Sequence, residues 1–186
     1  MAVGGCWRYV FSTTTMYIPS SFQEEDRGAL FDLIDHHGFA TMISVTDGAP
    51  TISHVPLLLD RKTPGRERLL GHLARANPHC EVLVRTESVL AIFHGPHAYV
   101  SPAWFETHPS VPTWNYAVVH VHGKVRLLDA PGAGVAEGED RETTRTILDA
   151  LVHKYESKRK DPWDGVLPEE HLTRLLPAIV AFEIAI

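Results

Sequence analysis

The stretch FATMISVTDGAPTISHVPLLL, residues 39–59, decides how the chain is read. Phe39, Thr41, Ile43 and Val45 fall on one face of an alternating segment, the period-two pattern of a β-strand. Asp47-Gly48 supplies the residues a tight hairpin turn demands, so 49–59 is predicted to return beside 39–46. Working outward, Asp60 to Arg68 reads as a polar loop. Short strands are predicted at Leu69–His72, Val89–His94 and His97–Val100, and a long one from Trp114 to Leu128, where VVHVHGKVRLL is strongly strand-like. Towards the N-terminus, Ser21 and Glu24 form an S-x-x-E capping box ahead of Leu30, Phe31, Leu33 and Ile34 at helical spacing, with Gly38 placed to end that helix. On the C-terminal side DAPGAGVAEGED is a small acidic loop. Ile147, Leu148, Leu151, Val152 and Tyr155 mark an amphipathic helix from about Asp140 to Ser157. Pro168-Glu169-Glu170 opens a short helix ending near Leu176, and AIVAFEIAI is a last strand. Antiparallel strands with turns every ten residues or so predict an α+β domain, a β-barrel with flanking helices.

Composition limits what such a domain can do. The chain has 186 residues, enough for one domain that needs no disulfide or metal staple. Its net charge of −6 offers no basic excess for a phosphate backbone, and no helix-turn-helix pattern is visible, which argues against direct DNA binding. Two cysteines, Cys6 and Cys80, cannot build a disulfide framework and point to a reducing, cytoplasmic setting. No run approaches the roughly 18 apolar residues of a membrane span. MAVGGCWRYVFSTTT lacks the basic start and apolar run of a signal peptide, so residues 1–15 read as an extension ahead of a start at Met16, and 16–186 as the single domain.

The motif search is largely negative. Dinucleotide, Walker, H-E-x-x-H, C-x-x-C and serine-elbow patterns are all absent. The chain is rich in histidine, with 12 residues. His120 and His122, two apart on a strand, share a face and would suit a metal or heme with His94 and His97 nearby, but no carboxylate accompanies them. Cys80 follows His79 directly, a spacing that does not pair a thiolate with its base.

The segments MYIPSSF, ISHVPLLLD, GHLARANPH, FHGPHAYVSPAWF and VPTWNYAVVHVHG stand in order along the chain. Together they resemble the PaiB-type family of FMN-binding split-barrel proteins, described as negative transcriptional regulators, from Met16 to about Ile186. The resemblance implies a six-stranded, mostly antiparallel split β-barrel, a homodimer, and FMN near the subunit interface. Other functions consistent with it are a flavin-dependent oxidoreductase acting on a small molecule and a heme or metal binder.

FMN needs donors for its phosphate, polar partners for its ribityl chain and an apolar slot for its ring. His72 and Arg75, three apart where a strand meets a helical turn, offer cation and N–H donors to the phosphate, with Asn77-Pro78 stopping the turn. On spacing alone a surface turn with a solvated Arg reads equally well, and the resemblance favours the phosphate. His54, mid-strand, is expected to point into a cavity towards phosphate or ribityl oxygens, unless it is a satisfied strand residue. Trp114 is a candidate for ring contact, whereas Trp104 reads better as core or interface packing. Ser101 and Asn115 are candidates for hydrogen bonds to the flavin edge or ribityl chain. Family members usually continue past the last strand into a polar Gly-Lys-x-Lys-type tail, whereas this chain stops at Ile186, and its 104–114 stretch is short. Both features predict a more open or differently lined pocket.

Overall fold

A computed structural model describes residues 16–86, 88–107, 109–128 and 144–186. The extension predicted over 1–15 and the loop after Leu128 lie outside the described residues, as does the start of the helix predicted from Asp140.

The hairpin forms as the sequence demands. Strands β1 (Phe39–Thr46) and β2 (Ala49–Pro56) pair antiparallel from Phe39↔Pro56 to Thr46↔Ala49. Asp47 and Gly48 both take positive φ, 53° and 78°, the left-handed geometry that matches a two-residue hairpin to strand twist. The return segment does not run unbroken to Leu59. Pro56 has no N–H to continue a ladder, and the Leu57 amide turns away to donate to the Gly38 carbonyl at 2.8 Å. Strand β3 (Leu58–Asp60) then pairs with β4 (Arg68–Ala74).

The remaining strands are β5 (Ser88–Val100), β6 (Thr113–Leu127) and β7 (Ile179–Ala185). The two short strands predicted at 89–94 and 97–100 are one strand with a register shift between His94 and His97. The order β2-β1-β5-β6-β7-β4-β3 makes a seven-stranded sheet whose pairs are all antiparallel. Its two edge strands, β2 and β3, are joined by Leu57 alone. A one-residue link between opposite edges forces the sheet to curl until they meet, which is the split barrel. Leu57, fully buried, sits in the core that this curl encloses, with Met42, Leu69, Phe93, Val119, Phe182 and Ile184.

Among the described residues four helices flank the barrel: α1 (Arg27–His36), α2 (His79–Arg85), α3 (Thr144–Glu156) and α4 (Glu169–Leu175). Helix α1 contributes Leu30, Phe31 and Ile34 to the main core. Its cap is Asp26, whose carboxylate accepts from the Gly28 amide at 2.8 Å, and not Ser21. Glu24 bends back on the Glu25 and Asp26 amides instead, and Ser21 lies in a 3-10 turn, Ser20–Phe22. The helix ends at His36 and is capped by the residue before Gly38, His37, whose amide donates to the Leu33 carbonyl. Helix α3 covers the other side of the sheet, where Ile147 and Leu151 pack on Leu70 and Ala181. Both faces of β4 and β7 are therefore buried, which accounts for the nearly unbroken apolar run IVAFEIA.

Candidate functional site

The β4–α2 junction was expected to be a helical turn stopped by Asn77-Pro78. The turn is there, but Pro78 opens a helix rather than closing one, because its fixed φ suits a helix start. The Asn77 side-chain oxygen accepts from the His79 amide at 2.9 Å, and its amide nitrogen donates to Ser53 Oγ at 3.2 Å. His79 is fully buried between two serines, with Nδ1 2.9 Å from Ser53 Oγ and Nε2 3.0 Å from Ser44 Oγ. Burial pushes its pKa below the ordinary histidine value, so the ring is held neutral. A neutral imidazole has one donor and one acceptor, and the two hydroxyls complement both. This polar spine ties the turn to β1 and β2.

Arg75 leaves the end of β4 and is anchored on the opposite side. Its amide donates to Ala178 O at 2.8 Å, its Nε to Pro177 O at 2.7 Å and one Nη to Ile179 O at 3.0 Å. The guanidinium is exposed, and two of its five N–H donors are used, so three remain for an external anion. His72, three residues earlier, pairs with Ala181 and is partly buried. Its Nδ1 is buried without a hydrogen-bond partner, and burial lowers its pKa. His72 thus lies within the β4–β7 ladder opposite Ala181 and Arg75 just past the ladder's end, and the residues that hold the corner in place are Ser44, Ser53, Asn77 and His79.

Beyond the shift at His94/His97, β5 and β6 form an arm. Trp114 is 57% exposed, with its ring centroid 6.2 Å from Tyr99 and 5.8 Å from His97. Ser101 caps the 3-10 turn Pro102–Trp104, its hydroxyl accepting from the Ala103 amide at 3.2 Å. Trp104 itself is 71% exposed, so it does not pack in the core of this chain. Asn115, opposite Ala98, presents an Oδ1 that is buried and unpartnered.

His54 departs from expectation. The parity of β2 turns Ser53 and Val55 inward and His54 outward, away from the barrel core. It hydrogen-bonds Thr41 Oγ1 at 3.2 Å and stacks on Phe39. The outward face of β1 and β2 carries Phe39, Ile43, Val45 and Ile52, and Phe39 is 65% exposed. His120 and His122 share the corresponding parity on β6, and His94 that on β5. Among the described residues no group of three His, Cys, Asp or Glu is arranged to hold a metal. Nor is any described helix long and apolar enough to cross a membrane.

Two separate places carry groups that suit parts of FMN: the corner with its pre-anchored cation and free donors, and, at the other end of the β5–β6 ladder, the arm with its exposed aromatic rings and the unpartnered Asn115 Oδ1. The spine was legible only in part. Ser44 and Ser53 lie on the inward parity of paired strands among apolar neighbours, a pattern that calls for a buried polar partner. That partner, His79, is on a helix the sequence did not announce.

A family model described as "Putative FMN-binding domain" matches residues 16–186. "Protease synthase and sporulation protein PAI 2" of Bacillus subtilis is 32% identical over 173 residues, covering 92% of this chain and 77% of that protein. An uncharacterized Saccharomyces cerevisiae protein, YKL070W, is 35% identical over 113 residues, which are 59% of this chain and 62% of the yeast one. Among solved structures, the FAD and heme binding protein of Mycobacterium smegmatis superposes with a TM-score of 0.57 at 21% identity, over 87% of this chain and 66% of that one. A "putative 5-nitroimidazole antibiotic resistance protein" of Bacteroides thetaiotaomicron gives 0.60 at 17%, over 87% and 80%. At those identities the two structures speak for the fold alone.

Proposed function

The chain belongs to the PaiB-type family of FMN-binding split-barrel proteins, and from that premise we propose that it binds FMN near a subunit interface. The Arg75 corner of one copy takes the phosphate, and the Trp114 arm, which lies at the far end of the same sheet, meets the ring from the other copy. The observation that carries this reading is Arg75 itself. Three backbone bonds fix the residue, yet its guanidinium is exposed with donors to spare. Its charge is better suited to a phosphate than to the two neutral carbonyls that orient it. His72 Nδ1 offers a further polar atom on the same corner, and Asn115 Oδ1 and Ser101 serve the ribityl chain or flavin edge. Trp114, with Tyr99 and His97, supplies aromatic surface for the ring. Bound FMN would supply one- and two-electron redox chemistry, while the protein contributes binding and orientation.

The outward apolar face of β1 and β2 is the surface we assign to a homodimer. Regulation, the role in the family's description, is assigned to flavin state or a protein partner, since a net charge of −6 disfavours a DNA backbone. The free thiol of Cys80 fits a cytoplasmic setting.

Titrating FMN and riboflavin into the protein, with flavin fluorescence as the readout, tests the reading. Charge-assisted bonds contribute about 1.5–3 kcal/mol, so Arg75→Ala is expected to weaken FMN roughly 10- to 150-fold. Riboflavin, which lacks the phosphate, should barely respond. Equal losses for the two would make Arg75 a fold residue, and no FMN binding by the wild type would end the cofactor assignment.

A further inference from the structure

We propose that His79 is a positioning residue for the FMN phosphate: held at both ring nitrogens by Ser44 and Ser53, it fixes the Arg75–Asn77 turn against β1 and β2. The proposal rests on Arg75 as the phosphate ligand, and it assigns a role to residues that touch no ligand themselves.

The first argument is that packing alone does not call for a histidine here. His79 is fully buried beside an apolar core, where a leucine would fill space without desolvating two nitrogens. Both nitrogens are instead bonded, and both serines that bond them point inward from separate strands. A fully satisfied buried network rigidifies what it connects.

What it connects is specific. Asn77 is gripped twice, through the His79 amide and through Ser53 Oγ, and the Cys80 amide donates to Asn77 O at 3.0 Å. The turn from Ala74 to Asn77 therefore has two moorings. One runs through the Arg75 side chain and amide to the start of β7; the other runs through Asn77, His79 and the serines to the β1–β2 hairpin. With the second removed, the contacts to residues 177–179 still orient the guanidinium, but the turn that follows it is no longer held against β1 and β2, so the place of the corner relative to the hairpin is loosened. A phosphate contact depends on that placement, whereas ring stacking on the Trp114 arm, carried by β5 and β6, does not.

The test compares wild type with His79→Leu and with the milder Ser53→Ala, which keeps the imidazole should the leucine variant fail to fold. In the free protein, hydrogen–deuterium exchange is expected to rise across residues 75–80 while the β5–β6 amides stay protected. In titrations FMN should weaken by about tenfold, in line with one or two lost hydrogen bonds, and riboflavin by less than about twofold. Adding either change to Arg75→Ala should cost FMN nothing further, because both act through one contact. Unchanged exchange in the turn, equal losses for the two flavins, or losses that add to Arg75→Ala would each overturn the proposal. A wild type that binds FMN no better than riboflavin would remove the Arg75 reading and this role with it, and exchange in the turn would still show whether the mooring exists.

Discussion

Single residues set the limits of this site. Gly71 on β4 leaves no room for a side chain, since a Cβ there would lie 2.7 Å from Leu57 Cδ2 and 2.9 Å from Phe182 Cζ. Gly71→Ala is expected to cost about 1–3 kcal/mol through overpacking, read as a lower urea midpoint at constant slope. His72 and His79 make a second prediction. Burial lowers both folded-state values below the ordinary 6.5. As pH falls below 6.5 the unfolded chain takes up these protons first, so unfolding gains free energy and stability drops until the folded-state values are reached. Stability should therefore rise with pH across that window, and His72→Phe should flatten the rise in urea titrations run at several pH values. An unchanged slope would mean that His72 titrates normally.

At the scale of elements, the proposed site gives the β5–β6 arm and the β4–α2 corner different work. The arm extends past a register shift and carries exposed rings that are not needed for packing. Trp114→Ala is expected to change stability by no more than about 0.5 kcal/mol, as surface changes do. FMN and riboflavin should lose affinity alike, because they share the ring, the opposite of the Arg75 pattern. A Trp114→Ala protein that binds both flavins normally would remove the arm from the site. The strands were readable in advance because alternation and the Asp47-Gly48 turn are local signals. The break at Leu57 and helix α2 were not. One depends on where Gly38 O lies in space, and the other hides seven residues behind a proline that reads as a stop.

The whole molecule exposes more apolar sheet than a lone barrel needs. Phe39, Val45 and Ile52 are each more than half exposed on the outward face of the hairpin, beside His54 and Thr41. Such a face is usually covered by a partner, and a second copy is the occupant we assign. Light scattering at micromolar concentration should give about twice 20.7 kDa, and Phe39→Lys with Ile52→Lys should return it to the monomer. A wild-type mass near 20.7 kDa would refute the dimer.

From sequence alone came the strand-rich order, the hairpin, the helix over α1, the limits set by charge and the likeness carried by five ordered segments. These depend on neighbours along the chain or on composition, and such information survives in one dimension. Only the tertiary structure decided that His54 faces outward, that one residue closes the barrel between opposite edges, and that His79 meets Ser44 and Ser53 across 35 and 26 positions of chain. Parity says which residues share a face but not which face the core will choose. That choice is made when the sheet curls, and the polar spine exists only once it has.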